Sequence, residues 1–406
     1  VRSAADGAAS GANDAADAGV DDRGPAISDA SPDTASSSAA PPRPTRRHLL
    51  TATGAALAGG TLGWAGALAS SRRGGEEAQA APTPDTDPEA GPAPTGADLR
   101  AGITWPVVPQ RHTAVAVITL ERRSAQHVIE LARAASASAG AHPADAGDVT
   151  VLTALGIRHA RSLMPERCGR AEGLPGFDSD APAIVRGGDL LVTAASETAA
   201  GASDALAGAL KPLGAHRVLW AQKGYRDAPT PAGTTRSGIG FIDGIVNPRT
   251  EVELRAGVWA GEAKRDTFLV VRRMLVARSF GSLGVPEQEA AVGRSRDTGA
   301  PLSGGGPLDD IDLFAKRDDG RTLIPAGAHA RRAHPANIGR ALMLRRSYSF
   351  DADDGSGLLF VAALADAETF VLTQRRLDAH DDLLRHTTTT AGDCFFVPEE
   401  LSERTM

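Results

Sequence analysis

The chain has 406 residues, long enough for two packed domains and a dispensable tail. A net charge of -7 with no clustered basic run excludes the electrostatic footprint of a nucleic-acid binder. Two cysteines, Cys168 and Cys394, are too few for a disulfide framework.

Residues 1–45 are Ala, Ser, Asp, Gly and Pro with almost no large apolar side chains, so they cannot offset the entropy of ordering and are expected to be disordered. Thr45-Arg46-Arg47-His48-Leu49-Leu50 follows, then a weakly apolar Ala/Gly/Leu stretch to Ala69 and a small-residue site at Ala78-Gln79-Ala80. A basic start, an apolar middle and an Ala-x-Ala end make 46–80 an expected export signal. The paired arginines point to the twin-arginine translocase and an extracytoplasmic destination, whether secreted, periplasmic or at the cell envelope. The apolar stretch is long enough to span a bilayer, but its Gly and Thr content disfavours a stable anchor. A stretch rich in Pro, Glu, Asp and Thr runs from Arg72 to about Ala97 and reads as linker, assigned to 81–101 in the processed chain.

From Gly102 onward strand-like and helix-like segments alternate. Thr113 to Leu120 is a β-branched run, Ser124 to Ala137 has helical spacing, and Val149 to Leu155 is strand-like again. Asp189 to Ala195, a helix over Glu197 to Leu210, and Val218 to Gln222 complete a β-α-β-β-α-β set, the ferredoxin-like order. The second half repeats it through strands at Phe268 to Val276, Ala341 to Ser347, Leu358 to Ala363 and Cys394 to Val397. Helices are expected at Pro286 to Val292 and Glu368 to Leu384. Gly188-Asp189-Leu190-Leu191-Val192 is echoed by Gly357-Leu358-Leu359-Phe360-Val361, which supports an internal duplication. The expected fold is α+β, with duplicated ferredoxin-like domains over 102–235 and 236–406 and antiparallel sheets packed together.

Three groups carry chemistry. Gly240-Phe241-Ile242-Asp243-Gly244 sets one carboxylate between glycines that permit φ > 0 or a close approach to a flat ligand, although Asp-Gly is also an ordinary turn pair. His329 is a candidate axial ligand to a haem iron, with His334 the nearest competitor; His334 precedes Pro335, which biases it to an extended or turn conformation. Arg345 and Arg346 are neighbours on a strand and must face opposite ways, so one enters a pocket while the other reaches solvent or a carboxylate.

In this order, Gly188-Asp189-Leu190-Leu191, Gly240-Phe241-x-Asp243-Gly244-x-x-Asn247-Pro248, Phe268 to Arg273, Thr298 to Leu302, His329 with Pro335, Leu344-Arg345-Arg346, Gly357 to Phe360 and Gln374-x-Arg376-Leu377 resemble the landmarks of dye-decolorising (DyP-type) haem peroxidases. The similarity is to the exported branch that includes deferrochelatase/peroxidases. It runs from about Gly102 to Val397. The resemblance implies one haem b per chain, with His329 as the iron ligand and Asp243 and Arg345 as distal catalytic groups. Cofactor contacts would come from Gly244, Ile245, Val246, His334, Pro335, Ala336, Arg345, Leu358 and Phe360. It implies hydrogen peroxide and a reducing small-molecule donor such as a dye or phenol as partners, with turnover through a ferryl-oxo intermediate. A deferrochelatase working with an iron permease, or a haem-binding protein without turnover, are the alternatives. Ile242, Ile245 and Val246 make the distal rim more apolar than in relatives. His334-Pro335-Ala336 removes a cation that could meet a haem propionate, for which Arg331 or Arg340 could substitute.

Overall fold

The computed structural model describes residues 99–121, 123–137 and 149–401. The expected N-terminal extension, export signal and most of the linker lie outside the described residues.

The first repeat runs through β1 (His112–Leu120), α1 (Ala125–Ala137), β2 (Thr150–Gly156), α2 (Ile157–Leu163), α3 (Pro165–Cys168), β3 (Asp180–Val185), β4 (Leu190–Ser196), α4 (Ala199–Leu210) and β5 (His216–Tyr225). A short hairpin, β6 (Thr235–Arg236) and β7 (Ile242–Asp243), and α5 (Glu251–Gly257) lead into the second repeat. That repeat contains β8 (Thr267–Val276), α6 (Arg278–Gly281), α7 (Val285–Val292), α8 (His329–Arg332), β9 (Leu344–Arg345), β10 (Tyr348–Ala352), β11 (Gly355–Leu364), α9 (Ala367–Ala379) and β12 (Thr387–Val397).

Strand order makes the duplication visible. β5-β1-β4-β2 and β12-β8-β11-β10 are both antiparallel and both place the fourth strand beside the first. The two sheets join at both edges: β2 pairs β12 through Leu155 and Gly156, and β10 meets β5 at Ser349 and Tyr225. Eight strands therefore close on themselves, which leaves few open edges to template aggregation.

The strands form where the sequence is apolar on both faces. β2 is buried at all seven positions, and Val117, Ile118, Leu190, Leu191, Phe395 and Phe396 are at most 1% exposed. Each such Leu, Ile or Phe contributes about 1.5–3 kcal/mol through burial. On α1, Val128, Ile129, Ala132 and Ala135 fall on one helical face and are buried. α4 buries only alanines, Ala202, Ala205 and Ala209, and its N-cap Thr198 accepts a hydrogen bond from the Gly201 amide. In the second repeat Asp366 caps α9, accepting from the Glu368 amide.

One strand differs from expectation. In place of Ala341 to Ser347, β9 and β10 run from Leu344 to Ala352 in a single register against β11, pairing Arg345 with Ala362 and Tyr348 with Leu359. The strand is interrupted at Arg346-Ser347 because Arg346 turns into the protein, 7% exposed, and donates to the Pro106 carbonyl at 2.8 Å. Arg346 is thus the one of the pair that enters the protein, while Arg345 approaches the Asp243 carboxylate. Burial pushes the Arg346 guanidinium down to about 10. β3 has no counterpart in the expected pattern; it adds to β12 in parallel.

Asp189 is explained by the fold. Its carboxylate is 3% exposed and accepts from the Leu120 amide at 2.7 Å, from His159 Nε2 at 2.9 Å and from Arg158, joining the end of β1 to α2. Burial works against its charge, but these donors outweigh it and hold the carboxyl below its ordinary range. Asp189→Ala should lower stability by about 1–3 kcal/mol by leaving the Leu120 amide without its acceptor. Because the native pKa is depressed, the wild-type contribution is complete above the ordinary carboxylate value near 3.9 and is lost as pH falls through the native pKa. Thermal melts of both proteins between neutral and acid pH measure this. An unchanged midpoint at neutral pH would refute it.

Candidate active site

The turn that carries Asp243 is built by its own backbone and by arginine. Between β6 and β7 the Ser237 amide donates to Phe241 O at 2.8 Å and the Gly240 amide donates to Ser237 O at 2.8 Å. Arg236 crosses beneath, donating to the carbonyls of Gly240 and, at 2.6 Å, Arg296. Gly240 has φ +88°, and a Cβ there would stand 2.7 Å from Arg296 Nε. No other residue fits without displacement. Phe241, 4% exposed, pins the turn against Phe280. Asp243 Oδ1 accepts from the Gly244 amide at 2.7 Å and lies 3.8 Å from Arg345 Nη2. Both side chains keep roughly a quarter to a third of their surface, at 30% and 27% exposure.

Arg345 is presented by β9. Its backbone amide donates to Asn247 Oδ1 at 3.0 Å, and its carbonyl accepts from Asn247 Nδ2 at 2.9 Å. His329 opens α8. Its Nδ1 lies 2.9 Å from Asp381 Oδ2, a carboxylate whose side chain has no exposure and which also accepts from the Leu384 amide at 2.7 Å. Gly327 makes this approach possible: a Cβ there would fall 2.2 Å from Asp382 Oδ2, while the Asp382 amide donates to Gly327 O at 2.8 Å. The imidazole keeps 36% of its side-chain surface; packing around it disfavours its cation, yet the Asp381 charge and hydrogen bond outweigh this and raise the ring pKa above its ordinary value. The fields of Arg345 and Asp243 also reach the ring, with opposite signs.

Residues 234–402 match the Dyp-type peroxidase C-terminal domain. A dye-decolorizing peroxidase of Thermobifida fusca is 36% identical over 231 residues, 52% of this chain and 51% of that protein. This chain is similar to Dyp-type peroxidases. It spans about half the length of the curated relative it matches. The oxyferrous complex of DtpA from Streptomyces lividans superposes with a TM-score of 0.65 at 29% identity, covering 73% of this chain and 91% of that one. A DyP-type peroxidase from Streptomyces coelicolor gives 0.65 at 28%, covering 77% and 96%.

The residues present fit the haem of a Dyp-type peroxidase. With Nδ1 committed to Asp381, His329 has Nε2 without a hydrogen-bond partner among the described residues. No group of three or more His, Cys, Asp or Glu among the described residues could hold a metal ion. A single imidazole oriented through Nδ1 suits an iron whose remaining ligands arrive with a macrocycle. Beside Asp243, Gly244 has φ +84°, and a Cβ there would find its nearest neighbour only at 4.0 Å, so the backbone borders open space.

His334 and His329 are now distinguished. His334 Nδ1 accepts from the Ala336 amide at 3.2 Å and Nε2 lies 2.9 Å from Asp310 Oδ2, so both ring nitrogens are engaged. Pro335 is half-buried and Ala336 exposed. Ile245 is buried against Gly299, and Val246 is half-buried. Leu358 and Phe360 share a face of β11, where Phe360 packs on Phe370 with ring centroids 5.5 Å apart. Arg331 donates to Leu313 O at 2.6 Å and Arg340 to Asp366 at 2.8 Å, so the two candidate substitutes for the missing cation already have partners.

Sequence reasoning missed Asp381, which follows His380 in a run with no motif, and assigned no role to Asn247. The D-G-x-x-N spacing was the available signal for the latter. A cleft of about 430 Å³ opens elsewhere, lined by Arg158, Arg217, Asp189 and Asp393 and by none of Asp243, His329 or Arg345. Its carboxylates, Asp189, Asp393 and Glu172, already accept hydrogen bonds from the protein.

Proposed function

We propose that this chain is a haem peroxidase that reduces hydrogen peroxide and oxidises a small reducing donor. The observation that carries the reading is the approach of Asp243 to Arg345 at 3.8 Å, together with a His329 whose Nδ1 is held by Asp381 and whose Nε2 has no hydrogen-bond partner among the described residues. His329 would hold haem b through Nε2, and the haem would supply the redox chemistry that peroxide reduction and donor oxidation require. Asp381 keeps the His329 Nδ1 proton in place, which orients the ring and strengthens Nε2 as a donor. Asp243 Oδ2 takes the proton from the near oxygen of peroxide and returns it to the far oxygen, which departs as water. Arg345 offsets the negative charge that grows on the departing oxygen. An arginine stays cationic at any working pH, so this charge is constant.

Export by the twin-arginine route is a separate proposal that rests on Arg46-Arg47 and the stretch after them. The test of function is direct. The chain from Ala81 onward, loaded with haemin and mixed with hydrogen peroxide in a stopped-flow spectrophotometer, should show a rapid Soret change that a reducing donor reverses. Haem binding with no peroxide-dependent change would overturn the peroxidase reading, and release of metal-free porphyrin would move the assignment to deferrochelatase chemistry.

A further inference from the structure

The ion pair between Asp243 and Arg345 does not fix its own geometry. At 3.8 Å the closest approach is too long for a hydrogen bond, and both side chains are partly exposed. What fixes Arg345 is its backbone. In the strand formed by β9 and β10, the Arg346 amide donates to Val361 O on β11, so the amide and carbonyl of Arg345 point to the opposite edge. Farther along that edge β5 supplies a partner, but only at Tyr225 opposite Ser349. At Arg345 no strand is present among the described residues, and the side-chain amide of Asn247 takes both positions, accepting from the amide and donating to the carbonyl.

Asn247 is itself held tightly. It lies four residues after Asp243 and immediately before Pro248, which restricts it to extended backbone. On its far side the α5 capping box closes over Arg249 and Thr250, whose amides donate to Glu253 at 2.7 and 3.0 Å. Asn247, just past the Gly240–Gly244 turn, is thereby joined by its one primary amide to Arg345, 98 residues away.

We propose that Asn247 is the positioning residue that sets Arg345 in register with Asp243, and that it affects peroxide chemistry only through Arg345. This rests on the reading of Asp243 and Arg345 as the groups that act on peroxide. An asparagine suits the role because it donates and accepts from one rigid group. The Asn247→Asp substitution would keep the acceptor for the Arg345 amide and lose the donor to its carbonyl.

Asn247→Ala, Asn247→Asp, Arg345→Ala and the double variant Asn247→Ala/Arg345→Ala are loaded with haemin. Three quantities are then read: the rate of the peroxide-dependent Soret change, the affinity of the ferric form for cyanide, and the thermal midpoint. Asn247→Ala should slow the peroxide step by up to about 10²-fold, the scale for a misplaced group. It should also weaken cyanide binding, with haem retention unchanged. Asn247→Asp should fall between Asn247→Ala and wild type. In the Arg345→Ala background the Asn247→Ala change should add nothing to either readout. Equal slowing in both backgrounds, or wild-type rates in Asn247→Ala, would overturn the proposal. If Asn247→Ala fails to retain haem, the residue is structural, and an Asn247→Asp protein with wild-type rate and cyanide affinity overturns the proposal independently. A wild-type protein that binds haem but ignores peroxide overturns the functional reading alone, because cyanide affinity still reports the placement of Arg345.

Discussion

His329→Ala should lose the axial bond to iron and with it most haem retention. Loss of a partner that merely orients a metal-bound ring typically costs 10–100-fold in metal affinity, so loss of the ring itself should cost at least about that. Asp381→Asn tests the lesser effect: it removes the charge beside Nδ1 that opposes burial and holds the imidazole pKa up. The Soret position of His329→Ala should differ from wild type, and added imidazole should restore part of it by occupying the vacated space. A His329→Ala protein that binds haem as wild type does, with the same spectrum, would sink the axial assignment. His334 is a poor replacement ligand, since ligation there would break its contact with Asp310 or with the Ala336 amide.

Legibility from sequence followed interaction range. β1, β2 and β4 could be read because they are apolar on both faces, and α1 and α4 because their buried residues recur with helical spacing. β3 could not: it is short, has no buried position, and is held by two register contacts to a strand some two hundred residues later. One of the two joins that close the sheet is a single pairing, Ser349 with Tyr225, which leaves no local pattern. The strand through Arg345 was placed too early because Arg346 reads as a polar strand end, whereas the fold buries it under Pro106 and continues the strand to Ala352. Asp243, His329 and Arg345 could each be singled out by residue type and local motif, but their convergence is tertiary. Asp381 reaches His329 across 52 residues and Asn247 reaches Arg345 across 98. Only the structure shows that the motif spacing after Asp243 ends on the amide that holds Arg345.

Asp243→Asn should leave haem bound and slow the peroxide step by about 10²–10⁴-fold, the usual worth of general acid–base catalysis. The substitution is nearly isosteric, and the native contacts tolerate it: the side-chain oxygen still accepts from the Gly244 amide, and the turn is held by Gly240, Arg236 and Phe241 independently of the carboxylate. What is lost is the capacity to accept and return a proton at Oδ2. The same substitution removes the negative partner of Arg345, whose cation then stands alone beside the reacting oxygens. These two losses separate experimentally. Stabilisation of the departing oxygen by Arg345 survives in Asp243→Asn, so its rate should remain above that of Asp243→Asn/Arg345→Ala, and raising pH, which deprotonates peroxide in solution, should recover part of the loss. A rate in Asp243→Asn indistinguishable from wild type would remove the carboxylate from the mechanism. A rate that equals the double variant and does not respond to pH would instead mean that Asp243 acts by holding Arg345, and that the proton is carried by another group.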